Sequence, residues 1–261
     1  MSLIHNATFD SQTRVLSLLD KAGNVISSCE VPSKSKGNEL TLTATADNSS
    51  VKLMKRGSLS NTYEVNTGSG WQSYTFGTTI ALNKGQSCKW RCSAHPTTQS
   101  IENYVQFVMT GKIEASGNCN SMLSSDFDNI TSLKGYNSAF TGLFRNCKSL
   151  VQAPELPATT LAQSCYGGMF DHCESLTQAP ALPATALAVN CYYIMFAGCR
   201  SLKEVRIAAI FKEQYALNGW LSDVSATGDF YCDPNATIFP TNDTSGIPRG
   251  WVRRNIADYP N

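Results

Sequence analysis

The chain has 261 residues, of which 42% are hydrophobic and 16% are charged, and its formal net charge is +1. A chain of this length can bury one large core or two smaller ones. The near-zero net charge gives no electrostatic reason to expect a nucleic acid as partner, and no apolar run approaches the roughly 18 residues that a membrane-spanning helix needs.

The first 37 residues are predicted to form a β-hairpin and a linker. Segments 14–19 and 25–31 are β-prone runs on either side of a turn at residues 21–24, and residues 32–37 are small and polar. The opening residues Met1, Ser2 and Leu3 lack the basic start and apolar core of a signal peptide. Either the protein is intracellular or an export signal has been removed from this sequence, and we expect the second.

Residues 38–118 are predicted to form a β-sandwich-like domain. Short β-type runs at regular spacing, separated by turns, are typical of that fold. The runs cover residues 40–44, 51–54, 62–65, 72–76, 79–82, 87–91 and 104–109.

Three aromatic residues of this domain, Trp71, Tyr74 and Trp90, allow two interpretations. They could form a platform on which sugar rings stack, as in carbohydrate-binding modules, or the two tryptophans could fill the sandwich core. The core interpretation is favoured because large aromatic side chains dominate small cores. Exposure of these rings on one sheet face would favour the platform.

Cys88, Cys92 and His95 are the sequence-local candidate for a metal site. The group lacks the two-residue spacing and the fourth local ligand of a zinc knuckle. Alternation along a strand would instead place Cys88, Trp90 and Cys92 on one inward face. We therefore predict no metal site and no cofactor.

The strongest signal in the chain is a 26-residue repeat. Residues 147–172 and 173–198 are identical at 16 of 26 positions. The proline-marked stretch 177–182 is expected to be extended, whereas Leu187, Cys191 and Met195 are four residues apart, which favours one face of a short helix. Each coil is thus predicted to contain a strand, a turn and a helix, and stacking would pair the strands in a parallel ladder.

Half of the ten cysteines belong to the repeat. Cys147, Cys173 and Cys199 form one series, and Cys165 and Cys191 form another. In stacked coils each series becomes a column of inward positions, where a free cysteine packs as a small apolar group. Disulfides between coils or a metal column are the alternatives, although one residue per coil lacks the close pairing of a zinc knuckle.

The repeat carries the motif MFxxCxSL followed by APxLPATxLA, and with it the chain resembles BspA-like leucine-rich-repeat surface proteins of Bacteroides-type bacteria. Residues 107–113 resemble the lead-in of that family, and residues 224–228 and 246–251 resemble its closing segment. The resemblance covers residues 38–255. It implies a secreted or cell-surface protein of the adhesin type and carries over no catalytic residues.

The expected fold class is therefore α+β, with a β-rich, sandwich-like N-terminal domain followed by a short leucine-rich-repeat solenoid and a C-terminal cap. The expected parts are the hairpin and linker at 1–37, the sandwich-like domain at 38–118, the solenoid at 119–206 and the cap at 207–261. Trp220, Phe230 and Trp251 are the predicted apolar anchors of the cap.

The expected function is that of a non-enzymatic adhesin, secreted or at the cell surface, whose repeat surface binds a host or bacterial surface protein. The alternative is a carbohydrate-binding module that takes a glycan on the aromatic residues of the β-domain. No nucleophile elbow, phosphate loop or HExxH motif supports a catalytic site. The predicted contact residues are Lys148, Glu174 and Arg200 in one column of variable coil positions, Asp171 and His172 in another, and Trp71 for the glycan alternative.

Overall fold

The structure is a computed structural model that describes residues 6–10, 15–19, 22, 25–30, 37–94 and 99–259. The chain divides into two compact units, Met1–Gly37 and Asn38–Asn261. The first contains a three-stranded antiparallel sheet of β1 (Asn6–Asp10), β2 (Val15–Leu19) and β3 (Val25–Glu30), in chain order. Strands β2 and β3 lie where the hairpin is predicted, and β1 adds a strand that the pattern does not predict. Most of the predicted linker, residues 32–36, lies outside the described residues.

The second unit begins with two β-sheets. Each predicted β-type run overlaps one strand: β4 (Leu40–Ala44), β5 (Ser49–Arg56), β6 (Thr62–Asn66), β7 (Trp71–Ser73), β8 (Ile80–Leu82), β9 (Ser87–Ala94) and β10 (Tyr104–Thr110). With β11 (Ile113–Ser116) and β12 (Leu150–Gln152) they form sheets of order β10-β5-β8 and β12-β11-β4-β9-β6-β7.

The two sheets share a core because successive side chains of each strand alternate between faces. In β9 the inward residues Cys88, Trp90 and Cys92 are all buried. Trp90 packs edge-on against Phe107 of β10, with ring centroids 5.1 Å apart. The side chains of one sheet therefore pack against those of the other.

Four segments of consecutive β-turns follow, at residues 138–146, 164–172, 190–198 and 215–223. We call them turn segments 1 to 4 and their assembly the repeat stack. Along segment 1 every second backbone N–H donates to a carbonyl of segment 2, as from Phe140 to Cys165 and from Phe144 to Met169. The N–H groups between them close turns within the segment, as from Leu143 to the carbonyl of Phe140. This alternation satisfies the backbone without a helix.

The predicted α+β fold with a leucine-rich-repeat solenoid is wrong. The described residues contain no α-helix, and their only helical turns are short 3-10 helices at Cys119–Met122, Phe127–Asn129 and Ile256–Asp258. The described strands fall into five separate sheets and do not close into one solenoid. The protein is almost entirely β, with turn segments where helices are predicted.

Positive backbone φ angles explain this difference. Every fourth residue of each turn segment is left-handed, as at Ser164 (55°), Gly168 (58°) and His172 (59°). A left-handed residue interrupts the i→i−4 hydrogen bonds of an α-helix. Cys191 and Met195 are both buried and recur at a spacing of four because each β-turn, not each helical turn, takes four residues.

Aromatic rings stack in columns through the repeat stack. Phe144, Phe170 and Phe196 lie nearly parallel, with centroids 5.6 and 5.4 Å apart. The column begins in the β-sandwich, where Phe107 stacks on Phe144 at 5.3 Å. A second column contains Phe140, Tyr166 and Tyr192. The sandwich and the repeat stack therefore belong to one hydrophobic core.

The repeat cysteines are free and buried beside these columns. The thiols of Cys147, Cys173 and Cys199 donate to phenylalanine carbonyls of the preceding level, at 3.2, 3.1 and 3.0 Å. Burial raises the pKa of the Cys173 thiol well above its ordinary value. These cysteines thus act as small apolar groups with a weak donor, and the protonated thiol is a poor nucleophile.

The C-terminal part closes the core with short parallel strands. β13 (Ala186–Leu187) pairs with β15 (Phe211–Lys212), and β14 (Glu204–Arg206), β16 (Gly228–Cys232) and β17 (Trp251–Asn255) form a three-stranded sheet. The predicted anchors Trp220, Phe230 and Trp251 are buried, which confirms that prediction. In the part of the chain that the structure describes, no helix is long and apolar enough to cross a membrane.

Candidate functional site

The charged column predicted for binding lies on successive levels of the repeat stack. Lys148 and Glu174 form an ion pair at 2.9 Å. The hydrogen bond from Lys148 lowers the pKa of Glu174, and the positive charge of Arg200 adds to this effect. Lys148 and Glu174 therefore neutralise each other, and the exposed Arg200 lies beside them.

The second predicted pair, Asp171 and His172, belongs to a compact polar cluster. The buried carboxylate of Asp171 accepts a hydrogen bond from Arg145 Nε at 2.9 Å and lies 2.6 Å from His172 Nδ1. Because an ionised carboxylate only accepts hydrogen bonds, the imidazole nitrogen is the donor. His172 also packs over Gly198, where an added Cβ would lie 3.0 Å from the imidazole ring.

The aromatic residues of the β-domain do not form one platform. Trp90 is fully buried, and Tyr74 packs edge-on against it at 4.7 Å while its hydroxyl donates to the carbonyl of Thr78. Trp71 pairs with Asn66 on the opposite, outward face of the sheet, and the guanidinium of Arg91 lies 4.3 Å from its ring. Trp71 thus stands apart from the other two rings.

The cysteine pair considered for a metal is part of the sandwich core. Cys88 accepts a hydrogen bond from Trp90 Nε1 at 3.3 Å, and burial raises the pKa of both Cys88 and Cys92 to about 12. His95 lies outside the described residues. Among the residues that are described, no group of three or more His, Cys, Asp or Glu side chains could hold a metal ion.

A groove of about 300 Å³ crosses the outer face of turn segments 1 to 3. Gly167 and Gly168 leave the gap, because two successive residues of segment 2 carry no side chain there. Segments 1 and 3 flank the gap, and the residues just before β10 reach it from the sandwich. We call it the turn-face groove; its lining is Ile101, Tyr104, Thr141, Gly142, Arg145, Ser164, Gly167, Gly168, Asn190, Tyr193 and Ile194.

The turn-face groove combines exposed apolar surface with polar groups that the fold does not use. Ile101 is 73% exposed and Tyr193 is 45% exposed. The side chains of Tyr104, Ser164, Asn190 and Tyr193 make no hydrogen bond to any other group of the described residues, while the hydroxyl of Thr141 donates to the carbonyl of Ser164 at 2.8 Å. These four side chains are available to a ligand.

Ile194 at the edge of the groove has an unfavourable backbone conformation. Its φ is 45°, whereas glycine fills the corresponding position of the other three segments, at Gly142, Gly168 and Gly219. The crowding of a Cβ in the left-handed region costs about 1–2 kcal/mol, and a β-branched residue there is a genuine outlier. Strain of this kind clusters at functional sites.

The two neighbouring glycines make room for the Ile194 side chain. A Cβ added at Gly168 would lie 3.6 Å from Ile194 Cδ1, and one added at Gly219 would lie 2.9 Å from Ile194 Cγ2. The isoleucine therefore extends across the levels on both sides of its own segment. It gives the groove an apolar edge that a glycine at this position would not give.

The groove is absent from the sequence-based prediction, although part of its signal is visible. The repeats read CYGGMF and CYYIMF, so Gly167 and Gly168 align with Tyr193 and Ile194 between identical flanks. Two small residues beside two large ones on the next level indicate a step in the surface. The contribution of Ile101 and Tyr104, from a distant part of the chain, carries no such signal.

A second cleft, of about 410 Å³, lies on the strand side of the repeat stack. Two of its lining side chains are tied to Glu204, whose Oε1 accepts hydrogen bonds from Tyr259 at 2.6 Å and from Gln178 at 2.5 Å. The guanidinium of Arg206 lies 4.3 Å from the ring of Tyr259. The turn-face groove is the better candidate because it sets the exposed side chains of Ile101 and Tyr193 beside polar side chains that make no hydrogen bond to other described residues.

Comparisons of the chain with protein-family models, with curated proteins and with solved structures found no match.

Proposed function

We propose that this chain is a non-enzymatic interaction protein, secreted or held at the cell surface, that binds its partner in the turn-face groove. The proposal rests on one observation. Exposed apolar side chains, a strained isoleucine and four polar side chains that make no hydrogen bond to other described residues lie together in this groove.

The fold itself does not need these features. Core packing would be served by a glycine at position 194, as in the other segments, and by polar residues at the exposed Ile101 and Tyr193. Clustered apolar exposure rimmed by polar groups is typical of binding surfaces. The hydrogen-bonded backbone beneath the groove is already ordered, which lowers the entropic cost of binding.

Two of the residues predicted for binding, Asp171 and His172, contact or neighbour the lining residue Arg145. Asp171 fixes Arg145, which lines the groove, and His172 contacts the same carboxylate. Arg145 is thereby held in one orientation with its charge balanced.

The surface location in this proposal rests on the resemblance of residues 147–198 to the repeats of BspA-like surface proteins. We expect protease added to intact cells of the natural source to digest the protein. Protection until the cells are lysed would contradict the surface location.

The binding proposal is tested by retention of the purified chain on immobilised extracellular-matrix proteins and mucin. Gly167→Leu should plug the groove, because Gly167 is not left-handed and an added Cβ would have no contact closer than 3.4 Å. Tyr193→Ala removes groove surface without adding bulk. Tyr215→Ala is the matched control, since Tyr215 is 54% exposed on segment 4 and does not line the groove.

We expect saturable retention that both groove variants weaken at least tenfold and that Tyr215→Ala leaves intact. Circular dichroism of each variant shows whether it is folded. Absence of retention on every surface, or retention that folded groove variants keep in full, would contradict the proposal.

A further inference from the structure

We propose that the occupant of the turn-face groove is a neutral glycan, whose sugar ring lies against Tyr193 and Ile194 while its hydroxyls bond to Asn190 and Ser164. This inference rests on the function proposed above and names the ligand class of the same site.

Charge is the first argument. Among the described residues, Arg145 is the only charged side chain that lines the groove, and Asp171 already pairs with it at 2.9 Å. Because Asp171 already balances the charge of that guanidinium, a carboxylate, sulfate or phosphate on the ligand would gain little net electrostatic attraction. An ammonium group would find no unpaired acidic partner among the lining residues. The groove therefore fits an uncharged ligand.

The mixture of polar and apolar groups is the second argument. A purely aliphatic ligand would cover the hydroxyls of Ser164 and Tyr193 and the amide of Asn190 without bonding to them, and an unpaired buried polar group is costly. A sugar ring offers hydroxyls that both donate and accept, and an apolar C–H face. Its hydroxyls match the polar side chains, and its C–H face matches the exposed ring of Tyr193.

The shape of the groove is the third argument. Neighbouring levels of a hydrogen-bonded stack are about 4.8 Å apart, so the groove extends about 10 Å from segment 1 to segment 3. Gly167 and Gly168 bring bare backbone to its floor. A floor of bare backbone leaves room for a sugar ring laid along it.

The first test uses a printed array of neutral and sialylated glycans, followed by calorimetry with the neutral glycan that binds most tightly. We expect Tyr193→Ala to weaken its binding at least tenfold, Asn190→Ala and Tyr193→Phe to weaken it severalfold, and Tyr215→Ala to leave it unchanged. The inference would be overturned if no neutral glycan on the array binds, or if binding requires sialic acid. It would also be overturned if Tyr193→Ala leaves the affinity unchanged.

The second test separates the inference from the proposed function. Mucin is oxidised with periodate, which cleaves the vicinal diols of its sugars, before retention of the full chain is measured. Retention that is lost both with oxidised mucin and in Gly167→Leu supports the glycan. Retention that Gly167→Leu abolishes but periodate leaves intact overturns the glycan and keeps the groove as a binding site. Retention that Gly167→Leu does not change overturns both proposals.

Discussion

At the scale of single residues, Ile194 adopts a left-handed backbone conformation that isoleucine disfavours. Three equivalent positions carry glycine, and the left-handed φ of 45° disfavours any side chain with a branched Cβ. Natural proteins keep such strained residues where function requires them, and removing them often raises stability at the expense of activity. Ile194 should therefore behave differently in stability and in binding measurements.

We expect Ile194→Asn to raise the free energy of unfolding by about 0.5–1 kcal/mol, because asparagine tolerates the left-handed region and the strain exceeds the packing lost by a half-buried side chain. The same variant should weaken binding. Urea unfolding measures the first effect. Ile194→Ala is the control, since it keeps a Cβ in the strained conformation and loses packing. An asparagine variant as unstable as the alanine variant would show that strain is not stored there.

Buried thiols give stability a defined pH dependence. Burial raises the pKa of Cys88, Cys92 and Cys165 to about 12, whereas an unfolded thiol titrates near its ordinary value of about 8.5. Because the pKa of each thiol is higher in the folded than in the unfolded chain, its contribution to the free energy of unfolding is fully present below the pKa of the unfolded thiol. This contribution is lost as the pH rises from the pKa of the unfolded thiol toward that of the folded thiol, at about 12.

Between pH 9 and 11 the free energy of unfolding should fall by up to about 1.4 kcal/mol per pH unit for each buried thiol. Urea unfolding at a series of pH values, with a reductant present, measures this slope. Cys165→Ala should reduce the pH dependence of the free energy of unfolding by the contribution of one thiol. An unchanged free energy of unfolding from pH 8 to 11 would contradict the account.

At the scale of elements, the turn segment is the unit that distinguishes this fold. Its backbone alternates between N–H groups that reach the next segment and N–H groups that close a turn, with a left-handed residue at every fourth position. Glycine, asparagine and serine hold most of these positions, and such residues tolerate positive φ better than branched ones. The ladder thus depends on backbone conformation as much as on the buried columns.

Two adjacent glycines test this dependence. Gly168 has a φ of 58°, so Gly168→Ala should lower the free energy of unfolding by about 1–2 kcal/mol. Gly167 is not left-handed, and Gly167→Ala should be neutral or stabilise by up to about 1 kcal/mol because it restricts the unfolded chain. Chemical denaturation of both variants compares them. Equal losses would mean that the left-handed positions do not define the element.

Much of the β-sandwich is predictable from the sequence, and the turn segments are not. Strands such as β4 and β9 alternate buried and partly exposed residues, a period of two that only a strand shows. A spacing of four, as between Cys191 and Met195, fits both a helix and a series of four-residue turns. The distinguishing signal is the set of Ser, Gly, Asn and His at the left-handed positions, as in Ser164 and His172.

The candidate site is predictable only in part, for a related reason. The Gly-Gly pair opposite Tyr193 and Ile194 is readable from aligned repeats, and Asp171 and His172 lie beside it. Ion pairing within the column of Lys148 and Glu174 depends on the register between levels. A repeat alignment does not say which variable residues pair with each other and which remain available.

At the scale of the whole second unit, a single core runs from the sandwich to the C-terminal sheet. Phe107 joins its parts, since it lies 5.1 Å from Trp90 on one side and 5.3 Å from Phe144 on the other. At the far end Trp220 packs against Phe230 and Phe239. A core that is continuous in this way should unfold as one cooperative body.

We expect Phe107→Ala to lower the free energy of unfolding of this unit by about 3–5 kcal/mol. Far-UV circular dichroism, which reports the strands, and tryptophan fluorescence, which includes Trp220 at the far end, should shift together. Phe211→Ala is the control, because Phe211 is 67% exposed and its loss should change stability by less than about 0.5 kcal/mol. Two separate transitions would show that the sandwich and the repeat stack are independent.

Backbone NMR tests most directly whether this protein binds its ligand in the turn-face groove. The amide resonances of Gly167 and Gly168 are followed while the full chain is titrated with O-glycans released from mucin. We expect these two amides, with those of Asn190 and Tyr193, to shift most and to saturate together. Shifts centred on Trp71 or on the strand-side cleft at Tyr259, with Gly167 and Gly168 unmoved, would contradict that expectation.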